Sequence, residues 1–146
     1  MQIKELGHVV LYVSNLTRSA DFYRDMLGFR EILRGEGVAL FSSGRTHHGM
    51  LLIEVGGSPA RHEQLRPGLY HIGFKIGDSP EDAKRAFKEL KEKGVTIMGT
   101  SDHTITHSIY ILDPDGNEIE LYADVSDAWK MDPRSIMSPI KPLDLH

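Results

Sequence analysis

Two stretches of the chain repeat one pattern, and that repeat constrains the fold more than any other feature. Residues 3–13 read Ile-Lys-Glu-Leu-Gly-His-Val-Val-Leu-Tyr-Val, and residues 68–76 read Gly-Leu-Tyr-His-Ile-Gly-Phe-Lys-Ile. Both are rich in strand formers, both carry one histidine near the middle, and each leads through a turn into a helical pattern. The first helix is predicted over about Leu16–Leu27, with Leu16, Ala20, Tyr23 and Leu27 on one face, Asn15 or Thr17 as its cap and Gly28 as its end. The second opens with Ser79-Pro80-Glu81-Asp82: a capping hydroxyl, a proline in the first turn and acids at the positive end of the dipole. Ala83, Ala86, Phe87 and Leu90 form its buried stripe, and Gly94 closes it.

Three strand-like segments follow each helix. They fall at about 31–35, 38–42 and 49–55 in the first half, and at about 96–100, 107–112 and 118–123 in the second. Asp113-Pro114-Asp115-Gly116-Asn117 marks the turn between the last two. Each half therefore reads βαβββ. One domain is expected over residues 1–124, with module one at about 1–56, a polar linker at about 56–67 and module two at about 68–124; residues 125–146 read as an irregular tail. A sheet with a helix on one face leaves the other face bare. The expectation is an α+β fold in which two paired βαβββ modules enclose a cavity.

Composition narrows the function classes. The 146 residues are 40 % hydrophobic and 26 % charged, which are globular proportions. No run of about 18 apolar residues occurs, so no spanning helix is expected. Residues Met1–Glu5 lack the apolar core of a signal peptide, and there are no cysteines. A cytoplasmic setting follows as the expectation, without disulfides, thiolate metal sites or a thiol nucleophile. The net charge of −4 argues against a nucleic-acid partner. No glycine-rich phosphate loop is present, which argues against a nucleotide cofactor. The lysine-rich run Lys84–Lys93 reads as a solvated helix face.

Eight histidines stand out against this background. His8 and His71 occupy matching places in the two repeats. In Asn117-Glu118-Ile119-Glu120-Leu121-Tyr122 the strand alternation puts Glu118, Glu120 and Tyr122 on one face, and Glu120 in an apolar setting needs a partner. Two imidazoles and one carboxylate are the open facial triad of non-haem Fe(II) sites, and manganese or zinc would use the same donors. His8, His71 and Glu120 are the metal-ligand candidates.

At these residues the sequence resembles the vicinal oxygen chelate superfamily, which includes glyoxalases, fosfomycin and bleomycin resistance proteins, and type I extradiol dioxygenases. The resemblance covers about residues 1–124 and implies paired βαβββ modules, with ligands from the first strand of each module and the last strand of one or both. Aligning 49–55 with 118–124 sets Leu51 opposite Glu120, where glyoxalase I-like sites commonly carry Glu or Gln. Leucine cannot ligate, which favours the dioxygenase-like pattern, although the fosfomycin-resistance pattern also uses three ligands. His47-His48-Gly49-Met50-Leu51-Leu52 is similar to an extradiol segment in which the second histidine is the acid/base beside dioxygen, a role that falls to His48. Asp102-His103, Tyr110, Asp113–Asn117 and Glu120-Leu121-Tyr122 resemble the catechol 2,3-dioxygenase C-terminal signature. That likeness implies that Tyr110 bonds near the substrate oxygen and that His103 lines the substrate pocket. Thr104 departs from it, because many relatives have glycine after the Asp-His pair.

The resemblance thus implies an Fe(II)-dependent extradiol dioxygenase taking a small aromatic substrate and O2, as a homodimer or higher homo-oligomer, with no nucleic-acid or membrane partner. Two rivals stand beside it: a glyoxalase-like or fosfomycin-resistance-like enzyme using its metal as a Lewis acid, and a metal-free protein that binds a drug or metabolite. His47 reads as a strand-edge residue, and His62, His107 and His146 carry no signal beyond their type. Trp129 and the tail fit either a cover over the pocket mouth or a dimer contact.

Overall fold

The computed structural model describes residues 1–45, 47–58 and 67–146. The chain divides into two compact units, the first comprising 1–62 with 114–116, the second 63–113 with 117–146. The first unit holds β1 (Val9–Val13), α1 (Leu16–Asp21), β2 (Arg30–Gly35), β3 (Val38–Ser42) and β4 (Met50–Glu54). The second repeats the series as β5 (His71–Gly77), α2 (Pro80–Glu92), β6 (Ile97–Asp102), β7 (Thr106–Leu112) and β8 (Glu118–Asp124). Each sheet has four strands, ordered β1-β4-β3-β2 and β5-β8-β7-β6. In each, the first strand runs parallel to the last and the remaining pairs are antiparallel. This is the α+β, twice βαβββ, class expected.

Most predicted boundaries fall within a few residues of the observed ones. The first strand is the exception: it was expected from residue 3 and starts at Val9, so His8 stands immediately before the strand rather than on it. The cause is the partner strand. Val9 N donates to Gly49 O and pairs Met50, and the described residues between Ser42 and Gly49 are in no strand, so they offer no ladder to residues 1–8. The first helix also differs. After Asp21 it widens into a π turn over Phe22–Met26 and ends at Gly28, whose φ is +75°. Asn15, not Thr17, caps it, its side chain accepting from Arg18 N at 2.8 Å.

The cores lie between each helix and its sheet. In the first unit Tyr23 is fully buried among Phe22, Phe29 and Phe41, over Met50 and Leu52. In the second, Ala83, Phe87 and Leu90 of α2 meet Ile109, Ile111, Ile119 and Leu121, while Ala86 is half-buried. Each fully buried aliphatic side chain contributes about 1.5–3 kcal/mol. Residues 59–66, with His62 and most of the expected linker, lie outside the described residues.

The tail folds onto the second unit. It carries two short 3-10 turns, Ala128–Lys130 and Pro133–Met137. Asp102 and Lys141 exchange two backbone hydrogen bonds at 3.0 and 2.9 Å, Thr100 Oγ1 donates to Leu143 O at 2.7 Å, and Leu145 is buried. The tail thereby covers the free edge of β6, an edge that would otherwise present unpaired backbone groups. The ring of His146 stands edge-on to Phe87.

Candidate functional site

Strand β8 sorts its side chains strictly by parity. Ile119, Leu121 and Ala123 are buried toward α2, and Glu118, Glu120, Tyr122 and Asp124 occupy the opposite, helix-free face. The register places His71 beside Glu118, and Tyr110 directly across from Glu120. Two carboxylates therefore flank one imidazole. His71 Nε2 lies 3.2 Å from Glu120 Oε2, and His71 Nδ1 lies 3.4 Å from Glu118 Oε1. His71 Nδ1 and Glu118 Oε1 are both buried and neither is hydrogen-bonded. The charge of Glu118 also holds the Tyr70 hydroxyl above the usual range for a phenol.

Tyr110 links this group to the loop between β6 and β7. Its hydroxyl donates to Glu120 Oε1 at 3.3 Å and lies 2.8 Å from His103 Nε2. A phenol has one proton, so with that proton on Glu120 the imidazole Nε2–H is the donor in the second bond. Burial, and then the Glu120 charge, push the Tyr110 pKa up to about 12, which keeps it a donor at neutral pH. His103 is aimed by the loop: Thr104 adopts φ +72°, and its N–H donates to Asp102 Oδ1 at 2.6 Å. The position where relatives were expected to carry glycine thus takes the left-handed conformation that glycine favours, here with a β-branched residue. A cavity of about 320 Å³ opens on this face, lined by the polar side chains of His71, His103, Thr106, Tyr110, Glu120 and Tyr122 and the apolar ones of Ile105 and Ile136. Ile136 comes from the tail; Trp129 does not line it.

The first unit presents a second imidazole cluster. The His48 ring lies 4.5 Å from the rings of both His8 and His47, and the Nδ1 atoms of His47 and His48 are 2.6 Å apart. Desolvation, then the neighbouring charges of His47 and His8, lower the His48 pKa below its ordinary 6.5. The register aligns the two units: Val9 pairs Met50 and Val10 pairs Leu51, as His71 pairs Glu118 and Gly73 pairs Glu120. His8 therefore holds, opposite Gly49, the place that His71 holds opposite Glu118, and Leu51 the place of Glu120.

The donor chemistry at His71 and Glu120 fits a metal. Two ligand atoms each about 2.1 Å from one ion and at right angles stand about 3 Å apart, close to the 3.2 Å seen here. A carboxylate behind the other imidazole nitrogen is the usual support of a ligating histidine, and Glu118 stands there. The structure brings together His71, Glu120, Tyr110 and His103 in one unit, and His8 with His48 in the other. Among the described residues, no three His, Asp or Glu side chains form a set able to hold a metal ion. Glu118 and His47 are the neighbours that sequence reasoning passed over. Parity placed Glu118 on the right face, and only the β5–β8 register shows that it adjoins His71.

Comparison with known proteins agrees with this architecture. The model of the Glyoxalase/Bleomycin resistance protein/Dioxygenase superfamily matches residues 5–121. The chain belongs to that superfamily. It is 31 % identical over 128 residues to the catechol-2,3-dioxygenase of Bacillus subtilis, covering 87 % of this chain and 44 % of that protein. It is 34 % identical over 122 residues to the metallothiol transferase FosB of Staphylococcus epidermidis, covering 82 % of this chain and 84 % of the relative. A glyoxalase/dioxygenase from Nostoc punctiforme has a solved structure that superposes with TM-score 0.68 at 25 % identity, covering 84 % of this chain and 92 % of that one. The chain spans less than half the length of the B. subtilis dioxygenase. No helix among the described residues is long and apolar enough to cross a membrane.

Proposed function

We propose that this protein is an extradiol ring-cleaving dioxygenase acting on a catechol-like aromatic and O2. One observation carries the reading: His103, Tyr110, Glu120 and His71 form a continuous polar chain along one cavity. His103, Tyr110 and Glu120 are the residues that carry the resemblance to the catechol 2,3-dioxygenase signature, from which Thr104 departs. The metal ligands are His71 and Glu120, with His8 as the third; iron is the metal proposed, and manganese or zinc would fit the same donors. Bound there, Fe(II) supplies Lewis acidity toward the catechol oxygens and a redox centre for O2.

The chain's own residues do the rest. Tyr110, held protonated, would turn its one proton from Glu120 to a substrate oxygen bound beside it. His103 fixes the Tyr110 hydroxyl and borders the ring. Glu118, 3.4 Å from His71 Nδ1, stands where it would accept that N–H once the other ring nitrogen held the metal. His48 serves as the acid/base that moves a proton between substrate and oxygen. Positioning the two reactants together accounts for much of the acceleration.

The test is anaerobic reconstitution with Fe(II), then addition of catechols and air while recording oxygen uptake and the yellow ring-fission product. Activity dependent on iron and oxygen, and lost in His71→Ala, is expected. Tight metal binding with no oxygen uptake across varied catechols would overturn it. The second reading is Lewis-acid thiol transfer, favoured by the likeness to a metallothiol transferase of similar length; metal-dependent thiol consumption without oxygen would establish that instead.

A further inference from the structure

The tail lies beyond the family match, which ends at residue 121, yet one of its residues lines the cavity. Ile136 sits on the 3-10 turn Pro133–Met137, which is capped by Asp132 through Arg134 N at 3.0 Å and by Ser135 Oγ bonding Asp132 O at 2.8 Å. Downstream, the Asp102–Lys141 pair and the Thr100–Leu143 bond anchor the tail to β6. Ile136 is therefore held in place from both sides. It and Ile105 supply apolar surface to the cavity, whose lining among the described residues includes no lysine or arginine. The nearest cation along the tail, Arg134, is engaged in three ion contacts with Asp132, at 2.9, 3.1 and 2.9 Å. Among the described residues the only carboxylate in the lining is Glu120, itself a proposed metal ligand.

The geometry points to a substrate class: a single-ring catechol with a neutral, apolar substituent, received by Ile136 of the tail and Ile105, with carboxylated catechols disfavoured. The inference rests on the ring-cleavage proposal for the chemistry and on the cavity wall for the selectivity. A cavity of about 320 Å³ is at the small end for ligand sites, which run from about 300 to 1,000 Å³, and suits one ring better than two. A carboxylate substituent placed against this wall would lose water and gain no partner.

The experiment titrates 4-methylcatechol and 3,4-dihydroxybenzoate by anaerobic calorimetry into protein loaded with Fe(II), then measures ring cleavage of each in air. Wild type is expected to prefer the methyl compound by about tenfold or more in Kd. Ile136 is 52 % exposed, so Ile136→Lys adds a cation at the wall with little disturbance to packing. It is expected to cut that preference by about tenfold, while Ile136→Ala weakens methylcatechol binding and leaves the order of preference unchanged. An unaltered ratio in Ile136→Lys of wild-type melting temperature overturns the wall, even if both catechols are cleaved. A shifted binding ratio without ring cleavage supports the wall and sinks the dioxygenase chemistry alone. Failure of 4-methylcatechol to bind overturns the substrate assignment.

Discussion

Tyr110 is the side chain on which the polar chain depends, because its hydroxyl bonds both His103 and Glu120. Tyr110→Phe keeps the ring and removes only the donor. Hydrogen bonds to charged groups contribute about 1.5–3 kcal/mol, so kcat/KM for catechol cleavage should fall about 10- to 100-fold. Iron content should not change, because the phenol is not among the proposed ligands. A loss of iron with the loss of rate would show that Tyr110 supports the metal site instead. The neighbouring Thr104 makes a smaller, purely conformational point. A left-handed φ costs a residue with a side chain about 1–2 kcal/mol, whereas glycine costs about 0.5–1 kcal/mol through the unfolded chain. Subtracting the two leaves Thr104→Gly about 0.5–1 kcal/mol more stable by denaturant unfolding. A destabilised variant would mean that the Thr104 side chain contributes packing greater than its strain.

At the scale of the element, α2 shows how much a short motif can specify. Ser79 accepts from Asp82 N at 3.2 Å, while Asp82 Oδ2 accepts from Ser79 Oγ at 2.7 Å and from Asp78 N at 3.0 Å. The last residue of β5 is a glycine, Gly77, because a Cβ there would stand only 2.3 Å from the Cβ of Asp82. These bonds, the Ser79 hydroxyl foremost, lower the Asp82 pKa below its ordinary 3.8. A lowered carboxylate stabilises the fold fully above its unfolded value and loses that contribution as pH falls through the folded one. Asp82→Asn should therefore melt earlier than wild type at pH 7, with the gap closing as pH drops below 3.8. A gap that stays constant with pH would remove the carboxylate's charge from the explanation. The Ser-Pro-Glu-Asp start and the Ala83–Leu90 stripe were legible because caps and helical periods are local. The π turn after Asp21 and the late start of β1 were not. The first depends on how Tyr23 packs among three phenylalanines, the second on where the partner strand begins.

Over the whole molecule, the repeat is what made the candidate site readable. The same register recurs in both sheets, so a histidine before β1 and one opening β5 could be matched from sequence alone, as could the contrast between Leu51 and Glu120. Ile136 was not readable, because tail docking on β6 follows no period; nor was the His47–His48 contact, made in a loop. The repeat also poses the sharpest test of the proposed ligand set, since His8 belongs to one unit and His71 with Glu120 to the other. If all three bind one ion, removing the ligand in the first unit should weaken the metal as removing one in the second does. His8→Ala and Glu120→Ala should each lower Fe(II) affinity by more than the roughly 10- to 100-fold typical of losing an outer supporting group. Competition against a chromogenic chelator measures this. Neither substitution touches a helix–sheet core, because His8 is exposed and Glu120 lies on the helix-free face, so the apo melting temperature should stay near wild type. If Glu120→Ala loses iron while His8→Ala retains it at wild-type affinity, His8 is not a ligand, and the metal belongs to the second unit alone.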